Sequence, residues 1–281
     1  MNRPVLLTLP ALLVTAGLFL APMLLLFAVS FWVKAGFTLR PGFTLAAWGD
    51  AVAIYGRMAL WTLGVSLVIG TLCTALGLVF AYGAAFKAGR HGDRLILAVL
   101  VTLFGGYLAK IYAWKSILGA TGLLNGALMG LGLTTGPVAA LIYSPVSVVI
   151  ALTHFLLPFA ILPIYASLRA IDRTGIEAAA DLGARPAAIV LRVILPQAAP
   201  GLFAAFAFSF LLAAGDYVTP LLIGGPSANM LGQFVLEAFS ARFNWPLGAA
   251  MSFGLLALCL AVLALVGRAG QAAVRRLVGP A

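Results

Sequence analysis

Apolar residues gather in six windows along the chain, at about 5–33, 58–86, 95–114, 139–168, 198–223 and 246–267, and polar residues are left to the connections. A helix needs roughly 20 apolar residues to cross a hydrocarbon core, and every window reaches that length or more. Inside a bilayer each backbone N–H and C=O must bond within the protein, which selects helices for windows of this kind. The pattern therefore predicts an all-α membrane protein of six transmembrane helices. It comprises an N-terminal helix over 5–33 and core helices from about 58 to 267. No connection is long enough to fold a soluble module, so 1–281 reads as one domain. The first window is about twice the length of a signal-peptide core and no A-x-A site follows it closely, so it reads as a retained span.

Composition strengthens this reading. Hydrophobic residues make up 63% of the chain and charged residues 9%, against about 25% charged in soluble domains. The net charge of +10 would raise nucleic acid in a soluble chain. Here no basic cluster is interleaved with exposed aromatics, and nucleic-acid binding is not expected. The basic residues fit topology instead. With the N-terminus inside, the inner connections hold Arg3, Lys87, Arg90, Arg94, Arg169, Arg173, Arg185, Arg192, Arg268, Arg275 and Arg276. The outer side holds Lys34, Arg40, Arg57, Lys110, Lys115 and Arg242. Eleven against six places both termini in the cytoplasm, where basic residues also meet anionic lipid headgroups. Residues 116–137, with Gly122, Gly126 and Gly130 at spacing four, could pack as a small-xxx-small span. A short helix lying at, or dipping into, the outer face is preferred, because a seventh span would reverse the charge asymmetry.

Few residues within the windows offer chemistry. Cys73 and Cys259 have no metal-ligand spacing and read as small packing residues. His91 and His154 are far apart, so neither a metal site nor a catalytic triad is expected; His154 reads as a buried, hydrogen-bonded imidazole. Pro22, Pro145, Pro158, Pro163 and Pro220 disturb the spans, which fits either a moving, cavity-lining pair or simple bent packing. Asp216 is the one acidic residue in a strongly apolar window, between Gly215 and Pro220. An intramembrane carboxylate is a functional candidate, and Tyr217 beside it could add a cation–π contact to a cationic substrate. Equally, Asp216 could cap the helix end or pair with Lys110 or Lys115.

The connection 172–196 carries the densest local signal. Thr174 and Glu177 stand in T-x-x-E capping spacing, and Glu177 and Asp181 put negative charge in the early part of a short helix. Ala178, Ala179 and Ala180 favour helix with almost no bulk. Gly183 can take the left-handed position that ends the helix, Pro186 suits the first turn of the next, and Pro196 begins the return into the membrane. A small, smooth, capped helix on the cytoplasmic face is suited to docking in a partner groove.

The run Glu177-Ala178-Ala179, Gly183 four residues later, and Val193-x-Leu195-Pro196 resembles the EAA loop of binding-protein-dependent ABC importer permeases. That pattern is EAA, three residues, G, nine residues, I-x-L-P; the one departure is Val193 for Ile. Tyr107-Leu108-Ala109-Lys110-Ile111-Tyr112-Ala113-Trp114, Gly122-Leu123-Leu124-Asn125, Gly215-Asp216-Tyr217-Val218-Thr219-Pro220 and Asn244-Trp245-Pro246-Leu247-Gly248-Ala249-Ala250 are similar to segments of polyamine-importer permeases, the first-type subunit in particular. The resemblance implies the type I ABC importer permease fold, with a cytoplasmic EAA coupling helix, in a bacterial plasma (inner) membrane. It implies cytoplasmic ATP-binding subunits docking on Glu177, Ala178, Ala179, Asp181, Gly183, Leu195 and Pro196, a second permease subunit forming a heterodimer, and an extracytoplasmic binding protein. The implied substrate is a small solute, spermidine or putrescine, with no cofactor on this chain. The absence of a G-x-x-x-x-G-K-[ST] loop agrees that ATP is split elsewhere and that the chain is not itself an enzyme. The rival is a stand-alone secondary transporter or channel, which calls for an inverted repeat or several intramembrane charges; neither is visible.

Overall fold

The computed structural model describes residues 10, 13–36 and 38–278. Arg3 and the start of the first predicted span lie outside the described residues. Helix dominates: α1 (Leu13–Val29), α2 (Ala46–Lys87), α3 (Gly92–Leu103), α4 (Tyr107–Leu118), α5 (Leu123–Gly130), α6 (Pro145–Arg169), α7 (Arg173–Asp181), α8 (Pro186–Gly215), α9 (Leu231–Ser240) and α10 (Trp245–Val278). Four of these, α2, α6, α8 and α10, are long and apolar enough to cross a membrane. A fifth crossing is available if the pair Gly89–Leu103 and Tyr107–Gly130 counts as one span; it is bent by 93°.

The differences from the sequence pattern have local causes. The window 95–114 is broken at Gly105-Gly106, where Gly106 leaves the helical region (φ −52°, ψ 137°) and restarts the chain at α4. The first helix ends at Val29, and Val33 pairs with Arg40 in a two-stranded antiparallel hairpin, β1 (Val33–Ala35) and β2 (Thr38–Arg40). This hairpin is the small exception to an all-helical chain. Residues 116–137 do hold a short helix, α5, with fully buried Asn125 pinning its surroundings: the side chain donates to the Gly119 carbonyl at 2.9 Å and accepts from the Val138 amide at 2.8 Å.

Two wide helical turns are tied to prolines, while another, at Gly83–Lys87, has none nearby. A π turn at Ala16–Leu20 comes just before Pro22, and another at Val190–Ile194 just before Pro196. Proline has no N–H to give the carbonyl four residues back and its ring crowds that carbonyl; a one-turn widening of the ladder relieves the conflict without ending the helix. Pro158 and Pro163 lie inside α6. The α6 N-terminus is held by a reciprocal pair, the Ser147 amide on Ser144 Oγ at 3.3 Å and the Ser144 amide on Ser147 Oγ at 3.4 Å.

The chain divides into two compact units. The larger, Trp61–Met230 with Cys259–Ala281, has its core between α2, α6 and α8: Ile69, Cys73, Leu152, Leu156, Ile161, Ile164, Ile194, Ala198 and Ala205. Gly201 of α8 sits against α6 so closely that a Cβ there would run into Ser167 Oγ and the Pro163 carbonyl. Only glycine lets the two backbones approach this far. Cys73 is fully buried, with its Sγ 3.5 Å from the Thr153 carbonyl, and Cys259 is also buried, as packing residues should be.

The smaller unit takes the chain up to Leu60 together with Leu231–Leu258. Tyr55, Ala59, Leu231, Ala238, Leu247 and Met251 form its core. Arg242 ties it together: its guanidinium donates to Tyr55 Oη at 2.9 Å and pairs with Glu237 at 3.0 Å, while its carbonyl accepts from Lys34 Nζ at 2.7 Å. Many large apolar side chains stay exposed, Phe104, Leu18, Leu123 and Val79 among them. Water would not tolerate that surface, and lipid tails cover it at no cost.

Candidate functional site

The connection from α6 into α8 forms the expected helix, turn and second helix, but its cap differs, Glu177 does not reach back to close a capping box, and Asp181 ends the helix instead of lying early in it. Helix α7 starts two residues earlier than a Thr174 cap would put it. Asp172 is the N-cap, its carboxylate accepting the Thr174 amide at 3.0 Å, and Thr174 lies in the first turn. A charged acceptor two residues upstream outcompetes the hydroxyl for the orphan amides of the first turn. Hydrogen bonding to Thr174 holds the Asp172 carboxyl below its ordinary range.

The end of α7 is a complete Schellman motif. The Gly183 amide donates to the Ala180 carbonyl at 2.8 Å and the Ala184 amide to the Ala179 carbonyl at 3.0 Å, with Gly183 at φ +80°. Pro186 then opens α8 with Arg185 as its extended N-cap. Ile176 packs on the core while Glu177, Ala178, Ala180 and Asp181 are exposed. Among the described residues Glu177 has no hydrogen-bond or ionic partner. Leu182 is 89% exposed at the tip, an apolar side chain that sequence reasoning did not single out. Its signal was present: a leucine between the last helical turn and a left-handed glycine has no core to reach. Of the remaining motif residues, Ile194 is buried and Leu195 and Pro196 are half-buried, so this part of the run anchors α8 rather than presenting a surface.

Asp216 and Tyr217 lie at the far end of the same helix. From Pro186 to Gly215 α8 runs 30 residues, a length of about 45 Å at the rise of an α-helix. There Asp216 turns extended (φ −77°, ψ 132°) and caps the next turn, accepting the Val218 amide at 3.1 Å and the Thr219 amide at 3.3 Å. Tyr107 Oη donates to Asp216 Oδ1 at 2.6 Å and lies 2.8 Å from Thr219 Oγ1. Since the single phenol proton goes to the carboxylate, the Thr219 hydroxyl is the donor in the second bond. The break after Gly106 and the break at Asp216 are thus fastened to each other through one tyrosine.

Neither lysine pairs with Asp216. Lys110 donates to the Thr102 carbonyl at 2.6 Å and sits 5.3 Å from the Phe155 ring centroid; Lys115 stands 5.9 Å from the Tyr143 ring. Tyr107 was visible to the sequence reading only inside a longer segment; its place directly after a Gly-Gly break was the available clue. Tyr217 is 40% exposed. His154 is exposed rather than buried, and its ring meets Trp114 edge-on at 5.5 Å. No group of three or more metal-ligand residues is found among the described residues.

Comparison with known proteins agrees in length and in kind. The family model described as "Binding-protein-dependent transport system inner membrane component" matches residues 75–279. The chain is 31% identical over 218 residues to the spermidine/putrescine transport system permease protein PotB of Haemophilus influenzae, covering 78% of this chain and 76% of that one. It is 32% identical over 202 residues to PotB of Escherichia coli, covering 72% and 73%. In fold it is similar to a chain of a bacterial ABC transporter involved in the import of the acidic polysaccharide alginate, with a TM-score of 0.71, 14% identity and coverage of 94% and 93%. It also resembles a chain of the MetNI methionine ABC transporter, with a TM-score of 0.55, 21% identity and coverage of 80% and 96%.

Proposed function

The chain belongs to the binding-protein-dependent transport system inner membrane component family and is a permease subunit of an ABC importer; from that premise we propose that it carries a polyamine, spermidine or putrescine, inward on energy from ATP split by partner subunits. The substrate class rests on the two PotB relatives, each at least 31% identical over most of its length.

The exposed helix α7 carries the mechanistic reading. A short helix capped at both ends and seated on the core through Ile176 holds its shape while its other side stays exposed, so a separate protein can grip it. We assign Glu177, Ala178, Ala179, Asp181 and Gly183 to the surface that docks the ATP-binding subunits, with Leu195 and Pro196 seating α8 below it. Three alanines let a groove close on the backbone, and the free Glu177 carboxylate offers a charge to a basic partner. Movement of α7 is then delivered to α8, a rod that ends at Asp216. Rigid rocking of packed helices suffices for such transmission.

The wider arrangement follows the family. Residues 1–281 form one multi-pass permease domain of six spans, with α1 in the first and the bent pair as the third. Both termini face the cytoplasm, as the eleven-to-six split of basic residues requires. A second, related permease subunit completes the path as a heterodimer, and an extracytoplasmic binding protein delivers the substrate. Asp216 and Tyr217 contribute to the path, the carboxylate drawing an ammonium group and the half-exposed ring stabilising it.

The test is uptake of labelled spermidine and putrescine into proteoliposomes holding the complete importer. ATP-dependent accumulation that disappears with Glu177→Arg, while the variant still inserts and assembles with its partner permease, supports the reading. Transport by this chain alone, without ATP, would instead return it to the secondary-transporter class.

A further inference from the structure

We propose that the Phe155 ring, the Thr102 carbonyl and the hollow over Gly105 form a subsite for one primary ammonium and its methylene chain, and that Lys110 fills this subsite while no substrate is present. The proposal rests on the polyamine reading and adds where one end of the substrate is held.

The observation is the posture of Lys110. Its side chain does not reach for Asp216. It folds back across the Gly-Gly break, placing Nζ 2.6 Å from the Thr102 carbonyl and 5.3 Å from the centroid of Phe155. Gly105 leaves the room: a Cβ there would come 3.2 Å from Lys110 Cε and 3.3 Å from the Thr102 carbonyl. Thr102 lies in the last turn of α3, where the helix dipole favours a cation; its carbonyl also accepts the Gly105 amide at 3.3 Å. An aromatic face, a carbonyl at a helix C-terminus and a side-chain-free hollow together make an ammonium site.

A lysine side chain is four methylenes ending in a primary ammonium. That is also the chemistry of one end of putrescine or spermidine, so the chain holds in its own hollow a tethered copy of the group it transports. The ring is linked to the carboxylate through one residue. Phe155 packs on Tyr107 with ring centroids 4.6 Å apart, and Tyr107 donates to Asp216 at 2.6 Å. A diammonium set in the hollow in place of Lys110 would direct its other charge along Tyr107 towards Asp216. The displaced Lys110 would then repel the substrate once it has arrived, which keeps binding weak enough for release.

The experiment is equilibrium binding of putrescine and of n-butylamine to the purified permease–ATPase complex in detergent, without the binding protein. Lys110→Met keeps the length and removes the charge and the competitor. It should tighten both ligands by about threefold to tenfold, the range spanned by one cation–π contact. Phe155→Leu alone should change little, because the ring holds Lys110 and the ligand alike, and adding it to Lys110→Met should lose the gain. A gain that survives in the double variant means that Lys110 acts by charge repulsion at a distance, and overturns the subsite. An unchanged Lys110→Met affinity overturns it as well. If the complete wild-type importer accumulates neither putrescine nor spermidine, the polyamine reading itself falls, and the subsite falls with it.

Discussion

The two ends of α8 are built in opposite ways. At the Pro186 end, everything that shapes the site is local: an Asp172 cap, three alanines, a left-handed Gly183 and a Pro186 start, within 15 consecutive residues. At the Asp216 end the site is assembled from residues far apart in sequence, with Tyr107, Lys110, Phe155 and Asp216 brought together by three helices and two chain breaks. The first end is exposed and waits for a partner; the second is hydrogen-bonded within the chain. A docking helix must keep its shape when alone, so its stability is written in caps. A path must change shape in use, so its contacts are tertiary ones that packing can make and break.

The sharpest way to break this comparison is to cut the rod between the ends. Gly201→Leu drives a side chain into Ser167 Oγ and the Pro163 carbonyl; overpacking of this kind costs about 1–3 kcal/mol or more. It should lower the yield of folded, inserted protein on size-exclusion chromatography and abolish uptake. Next is the local end. Gly183→Val forces a β-branched residue to φ +80°, at a cost of about 1–3 kcal/mol. With α7 unlocked, ATP-dependent uptake should fall severalfold while insertion, followed by membrane fractionation, stays normal. At the tertiary end, Asp216→Asn removes the charge and keeps an acceptor for Tyr107 and the Val218 amide, while its amide nitrogen replaces the oxygen that takes the Thr219 amide. Uptake of a polyamine should weaken mainly through KM, with uptake of a neutral dye by leakage unchanged.

The smallest effect concerns pH. The Asp172 carboxyl is held below its ordinary value by Thr174, so its contribution to α7 is present above the unfolded carboxylate pKa, about 3.9. It is lost as pH falls through the lower folded value. The protection factor of the Thr174 amide, its exchange relative to an unstructured amide at the same pH, should therefore fall only below that range, and Asp172→Asn should remove this pH dependence of protection.

The same contrast explains what the sequence could reveal. The turn and the second helix start of 172–186 depend on neighbours within a few residues, and spacing alone located them; the cap is Asp172 rather than Thr174, Glu177 does not reach back, and Asp181 ends α7 instead of lying early in it. Helices α6 and α8 followed from apolar length. The third window did not, because an apolar count is blind to the glycine pair at 105–106 that bends it by 93°. Asp216 stood out as a charge in an apolar run, but its partner did not. Lysine is the usual guess for a buried carboxylate, and the structure uses a phenol and two amides instead. His154 was misjudged for a related reason: an apolar neighbourhood in sequence does not say which face of a helix the core takes.

The central claim is that the two ends of α8 divide the work, one gripping the ATPase and the other meeting the substrate. Its most direct test is to purify the tagged chain from native membranes in mild detergent as wild type, Glu177→Arg and Asp216→Asn, and to quantify the ATP-binding subunit recovered with each. The account predicts loss of the ATPase from Glu177→Arg and full recovery with Asp216→Asn. Equal recovery from all three variants would contradict it.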